Sequence, residues 1–181
     1  MMNEELRLIL PTAEYRDEIA SYRKEFLDAG DSMDGTGSLR RLSDPMEWLA
    51  ATEQCRHEET VPLGWVQGTQ FLCVRDADRR VVGMIQVRHR FNEFLEKYGG
   101  HIGYSVRRSE RRKGYAAWML NAVKPFCRSI GLDSILVTCL AGNEASRRTI
   151  LKNGGVYDKT VHEPVENCDI ERYWISLGLP K

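Results

Sequence analysis

The chain has 181 residues, a length that suits one domain, 1–181, with a substantial core. Its 26 lysines and arginines balance 26 aspartates and glutamates. A formal net charge of zero supplies no global field toward nucleic acid or an anionic membrane, so neither is expected as a partner.

The opening MMNEELRLIL is acidic and its apolar run stops at Pro11, unlike the basic start and long apolar stretch of a secretory signal. No segment approaches the roughly 20 apolar residues of a membrane helix, and a cytoplasmic protein is expected. Leu6 to Leu10 alternates apolar and basic residues and ends at a proline, which predicts a first strand. Thr12 stands where a cap belongs. Tyr15, Ile19, Tyr22, Phe26 and Ala29 then recur at steps of three and four, predicting a helix over 13–29 that Gly30 closes. The Gly-, Ser- and Asp-rich segment 30–38 carries too little apolar surface to order itself and reads as a mobile loop over a substrate site. Asp44 before Pro45, with Glu47 close behind, starts a second helix running to about Cys55.

From Thr69, TQFLCVRDADRRVVGMIQVRHR holds two β-rich runs joined by a polar turn, an antiparallel hairpin. NEFLEKYGG is a short helical stretch whose glycines, Gly99 and Gly100, release the chain into the strand HIGYSVR. That strand runs into RRSERRKGYAAWML, residues 107–120, in which five cations surround one glutamate. Beyond it, Tyr115, Met119, Ala122, Phe126 and Ile130 keep helical spacing up to Gly131, so one helix is predicted over 114–130. Pro125 is expected to kink it, at a cost of about 3 kcal/mol in an unstrained interior. SILVTCL reads as a strand covered on both faces. NEASRRTILKNGG reads as a capped helix, and VYDKTVH and IERYWISL as a final pair of strands. The order describes an α/β (α+β) protein with a mixed central sheet and helices on both faces. Five dispersed cysteines show no ligand spacing and no disulfide framework, so no metal is expected.

A strand that ends at a helix start leaves backbone N–H groups unpaired and places about half a positive charge there. Gly114 lets a bulky phosphate approach the main chain, Ala116 keeps the second contact small, and Arg111, Arg112 and Lys113 add positive charge. A pyrophosphate suits this site. The chain has neither GxxxxGK[ST] nor GxGxxG, so two familiar nucleotide-binding classes lose their support. Arg111, Gly114 and Ala116 instead form Arg-x-x-Gly-x-Ala between a strand and an amphipathic helix.

At this motif the chain resembles the GNAT superfamily of acyl-CoA-dependent N-acyltransferases, whose pyrophosphate loop reads Arg/Gln-x-x-Gly-x-Gly/Ala. NEASRRTILKNGG is similar to the Asn-x-x-Ser helix of many members, and GGHIGYSVR to a group of bacterial predicted acetyltransferases. The resemblance covers about residues 69–160, the expected cofactor-binding core. It implies a mostly antiparallel sheet, acetyl-CoA as co-substrate, a small-molecule or peptide amine as acceptor, and room for a homodimer.

The resemblance also implies roles. The strand before the loop would pair with the pantetheine amides through Val106 and Arg108, with the Val106 N–H near the thioester oxygen. Arg111, Arg112, Lys113, Gly114, Tyr115 and Ala116 would hold the pyrophosphate, with Asn143 and Ser146 near the cofactor arm. His101 is the first candidate base, because the glutamate often found near this point is replaced by Gly100; a water chain is the alternative. The tyrosine expected seven residues beyond Asn143 is Ile150, which leaves Tyr104 or Tyr157 as proton donors. Arg88 and Arg90 are candidates to hold a substrate carboxylate, and Trp48 and Trp65 to line the acceptor pocket or the core. The implied activity is transfer of acetyl from acetyl-CoA to a primary amine. A non-catalytic acyl-CoA-binding module is the alternative reading.

Overall fold

The computed structural model describes residues 5–178. One seven-stranded sheet runs through it: β1 (Leu6–Ile9), β2 (Gly68–Arg75), β3 (Arg80–Arg88), β4 (Ile102–Val106), β5 (Ser134–Leu140), β6 (Val156–Glu163) and β7 (Cys168–Ser176), in the spatial order β1-β2-β3-β4-β5-β7-β6. Every neighbouring pair is antiparallel except β4 and β5. Helices α1 (Arg16–Ala29) and α2 (Pro45–Cys55) cover one face; α3 (Tyr115–Ala122), α4 (Lys124–Ser129) and α5 (Glu144–Lys152) cover the other.

Strand alternation divides the core in two. Leu72, Val74, Val81 and Met84 face α1 and α2, where they meet Ile19, Tyr22, Phe26 and Trp48. Cys73, Val82, Ile85 and Val87 face the opposite way, against Tyr115, Met119, Leu120 and Ile150. Each fully buried side chain of this size contributes about 1.5–3 kcal/mol of transfer free energy.

The helix ends follow the residues at them. Gly30 adopts a left-handed φ of 65°, its N–H bonding the Leu27 carbonyl while that of Asp31 bonds the Phe26 carbonyl, which closes α1. Asp44 caps α2 by accepting from the Met46 N–H at 2.8 Å. Thr12 precedes a short 3₁₀ turn, Ala13–Tyr15, but its side chain makes no capping bond.

Two expectations are corrected. The helix predicted over 114–130 is broken at Val123, and Pro125 lies in the first turn of α4, where a missing N–H costs nothing. The 30–38 segment is not a free loop. Leu39 and Thr36 are buried, the Gln70 amide donates to the Gly35 carbonyl at 2.8 Å, and the Trp48 indole donates to the Thr36 carbonyl at 2.8 Å. Composition missed this because the loop is held by its backbone. Gly35 lies so close to Gly103 of β4 that a Cβ on Gly35 would stand 2.2 Å from the Gly103 carbonyl oxygen.

Arg107, just past β4, is fully buried. Its Nε donates to the Val81 carbonyl, Nη1 to Ser21 and Glu25, and Nη2 to the Glu18 carbonyl and carboxylate, all between 2.6 and 3.2 Å. These five bonds match the five donors of a guanidinium, and its cationic carbon lies 5.4 Å from the Tyr22 ring centroid. Arg107→Ala takes the cation from between two carboxylates and a donor from two carbonyls, and is expected to lower stability by about 3–5 kcal/mol. The midpoint of urea denaturation, at unchanged slope, measures this.

Candidate active site

β4 pairs with β3 along its whole length, from Val87↔Ile102 to Gly83↔Val106, but with β5 only at Ile102↔Val137. Beyond that pair the two strands part. The His101 carbonyl accepts from the Arg88 N–H and the Arg107 N–H donates to the Val82 carbonyl, so the odd-numbered residues of β4 spend their backbone groups on β3. The N–H and C=O groups of Tyr104 and Val106 therefore face the gap. Arg111 Nε donates to the Val106 carbonyl at 3.1 Å, and the remaining three have no sheet partner among the described residues. Arg108 lies beyond this edge, in a 3₁₀ turn, Arg108–Glu110.

His101 closes the gap at its lower end. Its N–H donates to the Leu136 carbonyl at 2.8 Å, and its ring Nδ1 accepts from the Leu136 N–H at 2.9 Å. The imidazole thus takes the place of a backbone carbonyl. The ring is buried and tilts on Phe91, with centroids 4.1 Å apart. Burial, followed by the charge of Arg88, lowers its pKa to about 4. It is neutral near pH 7, and its one acceptor lone pair is engaged.

Four of the five cations of the turn are engaged by groups of the protein itself. Arg107 belongs to the interior. Arg111 pairs with Asp31 at 2.8 Å and lies 5.7 Å from the Phe26 ring centroid, while Arg108 reaches the same carboxylate at 3.7 Å. Lys113 pairs with Glu110 at 2.6 Å, and buried Glu110 also binds Arg75 and Arg80. Burial pushes the Glu110 carboxyl up, but its bonds to Arg75 and Lys113 prevail and hold it below the usual range. Arg112 is exposed and has a left-handed φ of 63°, uncommon for a residue with a Cβ. Gly114, at φ 85°, precedes α3, with open space where its Cβ would be. Among the described residues the N–H groups of Arg112, Lys113, Gly114 and Ala116 make no protein hydrogen bond. Tyr115 is buried, and its hydroxyl accepts from Arg75 at 3.1 Å. The turn therefore offers main-chain donors to an anion and holds most of its side-chain charge in local pairs.

Across the gap stands α5. Asn143 caps it, accepting from the Ser146 N–H at 3.2 Å. The Ser146 hydroxyl lies 2.7 Å from the Tyr104 hydroxyl. Burial pushes the Tyr104 pKa up to about 12, so this hydroxyl stays protonated at neutral pH. Tyr157 lies in β6, half exposed, with its hydroxyl 2.9 Å from that of Thr160.

The opposite face of β4 carries the other candidates. Gln70, Gln86 and Gly103 lie in register across β2, β3 and β4. The loop bearing Gly35 and Gly37 crosses them. Arg88 follows on β3, its Nη1 donating to the Gly99 carbonyl at 3.1 Å. Arg90 is turned to the surface and pairs with Glu58 at 2.5 Å, away from Arg88. Trp48 is core, and Trp65 lines a small cleft with Gln70, Gln86 and Cys55. Arg107, Glu18, Glu25 and Glu110, which hold the strand and turn in place, were not found from the sequence. Strand alternation was the available signal, since it puts Arg107 on the same face as Gly103 and Ser105.

Solved structures share this fold. A ribosomal-protein-S5-alanine acetyltransferase from Vibrio fischeri superposes with a TM-score of 0.73 at 15% identity, covering 97% of this chain and 95% of that one. The microcin C7 self-immunity acetyltransferase MccE, in complex with acetyl-CoA and AMP, gives 0.71 at 16% identity, covering 96% and 93%. A spermidine N-acetyltransferase from Vibrio cholerae gives 0.64 at 14%, covering 96% and 95%. A comparison with curated protein sequences finds no match. A family model described as an acetyltransferase (GNAT) domain matches residues 7–156, most of the chain, and the protein therefore belongs to the GNAT family of acetyl-CoA-dependent acetyltransferases.

Proposed function

We propose that the protein transfers the acetyl group of acetyl-CoA to a primary amine by direct attack, and that residues 1–181 act as one domain. The observation that carries this reading is the unpaired edge of β4 at Tyr104 and Val106, which leads directly to a turn with unpaired N–H groups. Bound acetyl-CoA supplies an electrophilic thioester carbonyl and a thiolate leaving group. The N–H groups from Arg112 to Ala116 hold the pyrophosphate, and the edge of β4 pairs with the amides of the arm. This edge is formed by Tyr104 and Val106 rather than by Val106 and Arg108. Asn143 and Ser146 flank the arm from α5.

The Val106 N–H is fixed in the strand and donates to negative charge that builds on the carbonyl oxygen. The Tyr104 and Ser146 hydroxyls are the proton-bearing groups of the same gap. A thiol ionises near pH 8.5, well below the value of about 12 for Tyr104, so the tyrosine stabilises the leaving sulfur by a hydrogen bond and keeps its proton. An acceptor amine with a pKa near 10.4 must lose a proton before it attacks. His101 is not poised to take it, because its acceptor nitrogen is already bonded to Leu136. We assign that proton to a water of the gap, which passes it to solvent, and we assign His101 to holding β4 and β5 together.

A panel of amines assayed for thiol release, with the acetylated product identified by mass, tests the activity. Tight acetyl-CoA binding with no acetylated amine would favour the non-catalytic module. Gly114→Val puts a branched side chain at a left-handed φ and is expected to weaken acetyl-CoA binding by about tenfold to a hundredfold, the loss of one or two charge-assisted hydrogen bonds. Arg112→Ala removes only a solvated charge and is expected to change it about threefold or less. Calorimetric titration with acetyl-CoA separates the two, and equal small losses would remove the pyrophosphate from this turn.

His101→Asn keeps an acceptor for the Leu136 N–H and removes the imidazole. Turnover is expected to stay within about threefold of the parent, whereas loss of a positioned base would cost about a hundredfold or more. The pH dependence of stability gives a second measure. A depressed histidine pKa means that the unfolded chain binds the extra proton, so this group's contribution is present above about pH 6.5 and is lost as pH falls toward 4. Acid unfolding of His101→Asn is expected to be less steep across that window.

A further inference from the structure

The arginines near β4 are not all matched. Arg107 is bonded to Glu18 and Glu25, Arg90 to Glu58, and Arg172 to Asp158. Arg88 has only carbonyl partners, Gly99 at 3.1 Å and Gly100 at 3.5 Å, both through Nη1. Among the described residues no carboxylate lies within ion-pair distance of it, and its Nε and Nη2 have no hydrogen-bond partner. Burial lowers its pKa to about 10, so it remains a cation at neutral pH, but one whose charge is poorly compensated.

Its position links this charge to the reaction. A Cβ on Gly103 would stand 3.0 Å from the Gly35 backbone and 3.1 Å from Arg88 Nη2, so the guanidinium lies beside the place where the loop packs on β4. Tyr104, the next residue and about 3.3 Å along the strand, is where the unpaired edge begins. An anion bound at Nη2 is thus within a few bonds of any nitrogen attacking at that edge. On the loop above, Asp34 is close enough to act electrostatically on Arg88, and its carboxylate has the Ser32 hydroxyl as a partner at 3.0 Å. A guanidinium and a carboxylate side by side near the free edge suit a guest that carries both charges.

We propose that the acceptor is an α-amino acid or a close analogue, with its carboxylate held by the unpaired Nε and Nη2 of Arg88 and its amino group lying between Asp34 and the free edge of β4. This rests on the acetyl-transfer reading above. It excludes a polycation as the preferred acceptor, since a desolvated guanidinium repels a second positive group at the same place.

Two measurements test it separately from that reading. The first is calorimetric titration of the common free amino acids, with CoA present, into the parent and into Arg88→Gln and Arg88→Lys. At least one amino acid is expected to bind the parent, and Arg88→Gln to weaken it by about tenfold to a hundredfold, the usual range for a charged hydrogen-bonding partner. Arg88→Lys, which keeps the charge without the fork, is expected to fall between them. Acetyl-CoA affinity, unchanged within about twofold, shows that the variants are folded. The second measurement is thiol release with each bound amino acid and with the amine left by its decarboxylation, such as lysine beside cadaverine, where the carboxylated member is expected to have the higher kcat/KM. The proposal is overturned if no amino acid binds, if binding ignores Arg88, or if the decarboxylated amines are the better substrates. Amino-acid binding lost in Arg88→Gln, together with no turnover of any amine, would support the binding site and reject the transferase reading.

Discussion

β4 must keep its place with hydrogen bonds to one neighbour over most of its length, because it meets β5 at a single residue pair. A strand in that position gives up the backbone bonds that would normally fix it, and the protein replaces them from several directions. At the start, the imidazole of His101 substitutes for a missing carbonyl against Leu136. At the end, Arg107 ties the strand to α1 and β3. Between them, the Tyr22 hydroxyl reaches the Ser105 carbonyl at 2.9 Å, and Gly35 packs backbone to backbone on Gly103. The unpaired groups of Tyr104 and Val106 can stay unpaired because everything else about the strand is determined.

The same logic explains the charge at the turn. Five cations close together suggest a strong field aimed at a ligand, yet Arg107 is spent inside, and Asp31 and Glu110 absorb most of the rest. An ion pair this buried is a poor source of net stability, since desolvation offsets much of the attraction. What it secures is geometry. With Glu110 gripped by Arg75, Arg80 and Lys113, the turn between β4 and α3 has little freedom, and its N–H groups are set before any anion arrives.

Local patterns carried most of the fold. Helical spacing marked α1, β-rich runs β2 and β3, a continuous apolar run β5 and a cap with Asn-Gly-Gly α5, and Gly30 and Asp44 act at the ends of α1 and α2 as their chemistry predicts, whereas Thr12 does not. Arg-x-x-Gly-x-Ala located the turn because its requirement is local: a strand end, a glycine and a helix start. The failures share a different cause. The 30–38 segment is poor in apolar residues and still ordered, because its partners are Gly103, Gln70 and Trp48, which sequence proximity does not reveal. His101 drew attention by residue type alone, and the sequence gives no sign that its Nδ1 accepts from a backbone N–H thirty-five residues away. Arg88 and Arg90, two residues apart on one strand end, looked equivalent until Glu58 was seen to claim one of them.

Arg107 also imposes an order in time. Its partners Glu18, Ser21 and Glu25 lie 89, 86 and 82 residues earlier in the chain. During synthesis α1 leaves the ribosome long before the guanidinium that will neutralise its two glutamates exists. Its buried face, with Ile19, Tyr22 and Phe26, must wait for β2 and β3 in the same way. Contacts of such separation carry a loop-closure cost that is met before the contacts repay it, which slows folding. The segment that anchors the turn is thus among the first made and the last settled, and the half-made chain carries an amphipathic helix with two unpaired acids as its most exposed feature.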